Sequence, residues 1–161
     1  LKCFVEHDNQ QQVSDNIHEI RNSEEEFDLY SQNTFDIFYK KIDLEKSNLI
    51  KILSGFQKDN KIVYGYGASN TTTTLLYHYE LNPYFNTIID DNNIKINRYS
   101  PGFHIPIVSS DVIYRKVPDV IVIFAWRFAD TIINKHKKFL EAGGKFIIPL
   151  PSISVITKDN S

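Results

Sequence analysis

Apolar and polar positions change period along this chain near residue 61. Before that point the spacing is helical. Val13, Ile17 and Ile20 recur at three- and four-residue steps and predict a helix over residues 13–26. Phe35, Phe38, Ile42, Leu49, Ile52, Leu53 and Phe56 form a longer stripe. They predict a second helix, capped at Asn33 or Thr34, running to about Ser54 and stopped by Gly55. Residues 1–7 alternate loosely, with Cys3 and Val5 on one side, and read as an edge strand or the tail of a strand from a preceding domain. Residues 8–16 are polar and read as a linker or loop.

From residue 61 short branched runs alternate with helical patterns, which is the grammar of a parallel α/β sheet. The first run starts at Ile62 and ends in Gly65 and Gly67, and a helix is predicted over residues 71–78 with Ser69 or Asn70 as cap. A second strand is expected over residues 84–89, running into Asp90 and Asp91. Residues 92–106 have no clean period and read as an ordered loop stiffened by Pro101 and Pro106. A short helix is expected over 111–114. Residues 120–124 read as a central strand buried on both faces. A helix over 128–141, a strand over 145–150 and an edge strand over 153–156 complete the pattern. The expected fold is therefore α/β, a Rossmann-like three-layer sandwich with a mainly parallel sheet preceded by two helices. Residues 1–60 would supply the N-terminal strand or linker and helices that pack on the core, and residues 61–161 the core itself.

Composition narrows the class. The chain has 161 residues, 42% of them hydrophobic, which suits one domain with a real core. A formal charge of -2 and the lack of a Lys/Arg stripe argue against a nucleic-acid surface. The single cysteine, Cys3, excludes an internal disulfide and a cysteine-based zinc site, and fits a reducing, cytoplasmic setting. No apolar run reaches transmembrane length. The chain opens LKCFVEHD and holds no Met, so it is expected to be a piece of a longer protein.

Chemistry concentrates at the expected carboxyl ends of the strands. The turn Gly65-Tyr66-Gly67-Ala68-Ser69-Asn70 lacks the third glycine of a dinucleotide fingerprint, yet a helix start there offers N–H groups to an anion. Asp90 stands 23 residues after Gly67, near the spacing at which an acid binds ribose hydroxyls; a turn-bracing acid explains it equally well. The irregular loop gathers Lys95, Arg98, Tyr99, Pro101, Gly102 and His104. Trp126 offers a stacking face and Arg127 an anion fork, against a plain packing role for the Trp. There is no Walker loop, no nucleophile elbow, no metal-like histidine spacing and no paired acid and base. No catalytic residue and no metal ligand is assigned in this chain.

These residues resemble the C-terminal domain of the S-adenosylmethionine-dependent sugar C-methyltransferases. The resemblance is carried by GYGAS at residues 65–69, TLL at 74–76, the acid at Asp90, YSPGFHIPI at 99–107, PDVIVIFAW at 118–126 and GGKFIIPLP at 143–151. It implies a three-part protein, in which upstream zinc-binding and methyl-donor domains hold zinc, S-adenosylmethionine, the catalytic histidine base and an assisting tyrosine. This chain would hold a nucleotide-linked keto-deoxysugar, commonly dTDP-linked, and would methylate nothing alone. Its implied partners are that sugar nucleotide and the upstream domains, with no nucleic acid and no membrane. Thr71, Thr72 and Thr73 stand where the family usually has lysine, glycine and asparagine, so a phosphate contact from that lysine is lost. Asn97 stands where glycine is common, and Thr131 where the family tends to have glutamate. The alternatives are a scaffold domain without strong ligand binding and an NAD(P)-binding oxidoreductase domain.

Overall fold

The computed structural model describes His7 and residues 14–160. The expected first strand therefore lies outside the described residues. The chain divides into two compact units, Leu1–Ile42 and Asp43–Ser161. The first holds helix α1 (Asp15–Glu26) and the start of helix α2 (Gln32–Lys58). α2 runs straight through Gly55, where the open surroundings of the missing Cβ make glycine merely tolerable. The helix ends instead at Lys58, where Asn60 takes φ 53° and lets Lys61 N–H donate back to Phe56 O.

The second unit carries a six-stranded sheet in the order β3-β2-β1-β4-β5-β6. Its strands are β1 (Val63–Tyr66), β2 (Ile88–Ile89), β3 (Ile107–Val108), β4 (Val120–Ile123), β5 (Lys145–Ile148) and β6 (Ser154–Ile156). All pairs are parallel except β5 with β6. The Rossmann-like α/β fold expected from the alternating runs is the fold observed. β4 sits between β1 and β5, with all four residues buried. The strand order reverses between β1 and β4, the place where open α/β sheets leave a crevice at their carboxyl edge.

Register decides which side chain faces which layer. Tyr64, Tyr66, Ile89, Ile121, Ile123 and Phe146 point to one face. There they meet Ile113 of α4 (Val112–Arg115), Ala129 and Ile132 of α5 (Ala129–Lys135), and Phe139 and Leu140 of α6 (Lys137–Glu141). The right-handed crossover from β1 to β2 puts α3 (Asn70–His78) on the other face. On that side a Cβ at Gly65 would lie 2.3 Å from the Phe124 ring, so only glycine lets the aromatic cross the sheet there.

Two departures from the sequence pattern bear on the site, and β5 also ends two residues earlier than expected. Residues 82–84 form a 3-10 turn with Pro83 at its start, which leaves only Ile88 and Ile89 to pair as β2. The predicted single helix over 128–141 is broken at His136, whose φ −112° and ψ 29° are not helical. Its side chain is drawn inward to the polar cluster described below.

Candidate functional site

β1 delivers Gly67 to the carboxyl edge with φ +99°, a conformation that disfavours any side chain. A Cβ there would stand 2.6 Å from Ala125 Cβ, so the turn is also packed against the end of β4. Gly67 N–H donates to Ile89 O at 2.7 Å. Ala68 N–H donates to Asp90 Oδ2 at 2.7 Å. Ser69 opens α3 with a reciprocal cap: its N–H donates to Thr72 Oγ1, and its Oγ accepts from Thr72 N–H. Thr72 Oγ1 also donates to Gly67 O, so this buried threonine ties the turn to the helix. The N–H groups of Asn70 and Thr71 belong to the first turn, where helix geometry supplies no acceptor.

Asp90 is buried, at 8% exposure, and its carboxylate is heavily engaged. Besides Ala68 it accepts from Asn92 N–H at 2.8 Å and from Lys95 Nζ at 3.1 Å. It therefore braces the glycine turn against the loop after β2. That loop turns back on itself through a Tyr99–Pro106 bridge, Ser100 N–H to Ile105 O, and Ile105 N–H to the buried Ser100 Oγ. Phe103 stacks on Tyr77 of α3 with centroids 4.3 Å apart, and Gly102 passes so close to the Tyr77 hydroxyl that no Cβ would fit.

Between the start of α3 and this loop lies a cavity of about 200 Å³. Of the residues predicted from sequence, Ala68, Ser69, Asn70, Lys95, Arg98, Tyr99 and Pro101 line it, joined by Thr72, Thr73, Ser100 and Ile107. Gly65, Gly67 and Asp90 stand behind it as packing and bracing groups. Gly102 packs on Tyr77. His104 is exposed, with φ 53° and its N–H on Ser100 O. Trp126 and Arg127 lie in a 3-10 turn after β4, with the Arg127 guanidinium 4.5 Å from the centre of the Trp126 ring. That places a cation on one indole face. The threonines 72 and 73 were legible only as departures from a family pattern; their place on the cavity wall follows from the first turn of α3.

Tyr66 points to the opposite face and joins a second polar cluster. Its hydroxyl has one proton, which goes to Asp91 Oδ2 at 2.7 Å. The Tyr66 oxygen must then accept from His136 Nε2–H at 3.0 Å, and His136 Nδ1 accepts from the Tyr114 hydroxyl at 3.0 Å. Lys135 Nζ closes the chain on Asp91 at 2.7 Å. Burial pushes the Tyr66 phenol well above its ordinary pKa, and the hydrogen bond to Asp91 and that carboxylate's charge push it further. Burial alone would raise Asp91, but hydrogen bonds from Lys135, Tyr66 and Ser110 outweigh it and hold the acid below its usual value. Burial, then the charge of Lys135, lowers His136 and keeps it neutral; Asp91 opposes this only in part. Sequence reasoning classed His136 with packing histidines, and only its place at a helix break distinguishes it.

Among the described residues no group of three or more His, Cys, Asp or Glu side chains could hold a metal ion. Nor is any helix among them long and apolar enough to cross a membrane.

A family model described as the C-methyltransferase C-terminal domain matches residues 1–151. The chain belongs to this family. C-methyltransferase NovU of Streptomyces niveus is 33% identical over 121 residues, covering 72% of this chain. The chain spans 28% of the length of NovU. Among solved structures, UDP-D-quinovosamine 4-dehydrogenase from Vibrio fischeri aligns with a TM-score of 0.44 at 15% identity. The alignment covers 62% of this chain and 96% of that chain, and it says nothing of activity. Within the C-methyltransferase C-terminal domain family, then, this member presents its cavity beside the first turn of α3, with Arg98 and Lys95 on the facing loop.

Proposed function

We propose that this chain is the sugar-nucleotide-binding C-terminal domain of an S-adenosylmethionine-dependent C-methyltransferase. Its ligand is a nucleotide-linked keto-deoxysugar, with dTDP as the nucleotide. The observation that carries the reading is the cavity at the carboxyl edge. Asn70, whose first-turn N–H has no helical acceptor, and the cation of Arg98 both line this space, which suits an anionic group. The cavity is smaller than the roughly 300–1,000 Å³ of a site that encloses a whole drug-sized ligand. It takes one part of the sugar nucleotide, and the rest meets the preceding domain.

The donor belongs to the preceding domain, which holds S-adenosylmethionine, and zinc belongs to a separate domain further upstream. Two features of this chain support the division. The close approach made possible by Gly67 is filled by Ala125, and the Asp90 carboxylate is already engaged by Ala68, Asn92 and Lys95. A ribose diol would have to compete for it, which also weighs against the NAD(P)-binding alternative. The residues of this chain bind and orient the acceptor; they move no proton in the reaction.

The test uses the full-length enzyme. Affinity for dTDP and for a dTDP-sugar is measured by calorimetry in Arg98→Ala, Asp90→Ala and Trp126→Ala, beside the folding stability of each. Arg98→Ala should weaken binding about ten- to a hundredfold, the worth of one charge-assisted contact of roughly 1.5–3 kcal/mol. If all three folded variants bind like the parent, the site is wrong and a scaffold role stands in its place. Methyl transfer over a panel of nucleotide-linked keto sugars, read by mass spectrometry, identifies the acceptor.

A further inference from the structure

The stripe on α2 is one helical face with two fates. Phe35, Phe38, Tyr39 and Ile42 share that face with Leu49 and Leu53, by the three-, four- and seven-residue spacing of the helix. Leu49 and Leu53 are 0% exposed. Phe35, Phe38 and Tyr39 are 54%, 60% and 65% exposed. α1 repeats the pattern, because Ile17, Ile20 and Phe27 share one face, all three are exposed, and the helix buries no residue. Side chains of this size carry roughly 150–250 Å² each, so the three aromatics of α2 alone leave on the order of 300–400 Å² of ring surface open to water. That matches the largest apolar patches found on monomers, which mark interaction sites.

We propose that this face of α1 and of the first turns of α2 is the docking surface for the preceding domain of the same polypeptide. Three observations commit the face to that occupant. The family is a C-terminal domain, and this chain spans only 28% of NovU, so such proteins carry most of their chain ahead of this part. In sequence, the preceding chain of such a protein joins this domain ahead of α1. α1 is acidic, holding Asp15, Glu19, Glu24, Glu25 and Glu26 against Arg21, and Glu24 shares the side of Ile17 and Ile20 by its seven- and four-residue spacing. A second copy meeting it across a two-fold axis would bring like charges together, which disfavours self-association. The occupant is therefore an apolar surface that also carries Lys or Arg. This inference takes from the proposed function only the existence of the upstream donor domain.

In the full-length protein, a photo-crosslinking phenylalanine analogue placed at Phe35 or at Phe38 reports the occupant. The expected product is an intramolecular crosslink, at monomer mass, to residues ahead of this domain. Crosslinks between two copies, crosslinks confined to residues 43–161, or no crosslink at all would each overturn the proposal. Hydrogen exchange supplies a second reading. The peptide spanning residues 32–42 should be protected in the parent and exchange at least tenfold faster in Phe35→Asp/Phe38→Asp; equal exchange in the two proteins counts against docking. Calorimetry with dTDP on the same protein separates the two ideas. Lost nucleotide binding with intact crosslinks sinks the sugar-nucleotide reading alone, and retained binding without crosslinks sinks the docking surface alone.

Discussion

Two neighbouring acids, Asp90 and Asp91, build two different things at the same sheet edge. Asp90 turns toward α3 and braces a turn that borders an open cavity. Asp91 turns the other way, into the Tyr66–His136–Tyr114 chain, where donors and acceptors match one for one. Among the described residues, the first region leaves first-turn N–H groups of α3 and the Arg98 cation without a partner. Among the described residues the second leaves no buried side-chain polar atom unpaired, and burial pushes Tyr66 up and His136 down, away from neutrality. A fully satisfied polar cluster fixes geometry. A ligand site needs polar groups whose partner arrives later. On the proposed function, this difference puts the cavity side with binding and the tyrosine–histidine side with architecture.

The largest effect should come from the hinge between them. Gly67→Ala forces a Cβ into φ +99° and to 2.6 Å from Ala125. We expect a loss of roughly 2–4 kcal/mol in urea unfolding, combining backbone strain with overpacking. A loss under 0.5 kcal/mol would mean that the turn relaxes freely and is not the fixed frame described.

Next is the architectural side. His136→Ala should cost roughly 2–3 kcal/mol, because it opens a void and strands the hydroxyls of Tyr66 and Tyr114. pH sharpens this. The folded pKa of His136 lies below its unfolded value near 6.5, so the unfolded chain binds the proton first. The stabilisation is complete above that value and is lost progressively as pH falls below it. Stability measured from pH 7.5 to 5 should decline in the parent, and the part due to His136 should vanish in the variant. Nucleotide affinity at pH 7.5 should be unchanged in the folded variant; a large loss would move this cluster into the binding site.

How much of this was legible beforehand follows the range of the forces involved. β1 and β4 could be read because branched apolar runs and a glycine turn are local signals. The cavity loop could be read as irregular and rich in polar groups, and much of it does line the cavity. What escaped depended on partners distant in sequence. Gly55 looked like a helix stop, but α2 continues to Lys58, and Asn60 beyond it supplies the left-handed residue. The break at His136 is set by Tyr66, 70 positions away. The role of Asp90 as a brace is set by the N–H of Ala68, and no spacing rule separates a brace from a ribose acceptor.

On the binding side, Arg98→Ala should leave stability within about 0.5 kcal/mol, since the residue is exposed, while weakening dTDP affinity about ten- to a hundredfold. Equal losses of stability and affinity would erase the contrast between the two regions.

The smallest effect tests which region owns Lys95. Its ammonium lines the cavity but sits 3.1 Å from the Asp90 carboxylate, so much of its charge is already spent. Its side chain is 37% exposed, and solvent screens the pair. Lys95→Gln should therefore cost under about 1 kcal/mol of stability. Its effect on affinity should be about two- to fivefold, below that of Arg98, and of indirect origin. With the lysine gone, the negative charge of Asp90 is no longer offset beside the cavity, and an incoming phosphate is repelled. Asp90→Asn in the same chain removes that charge, so the double variant should bind dTDP better than Lys95→Gln alone. A double-mutant cycle by calorimetry reads this coupling directly. If the two changes simply add, Lys95 contacts the ligand itself, and the boundary between brace and binding site runs through the cavity wall.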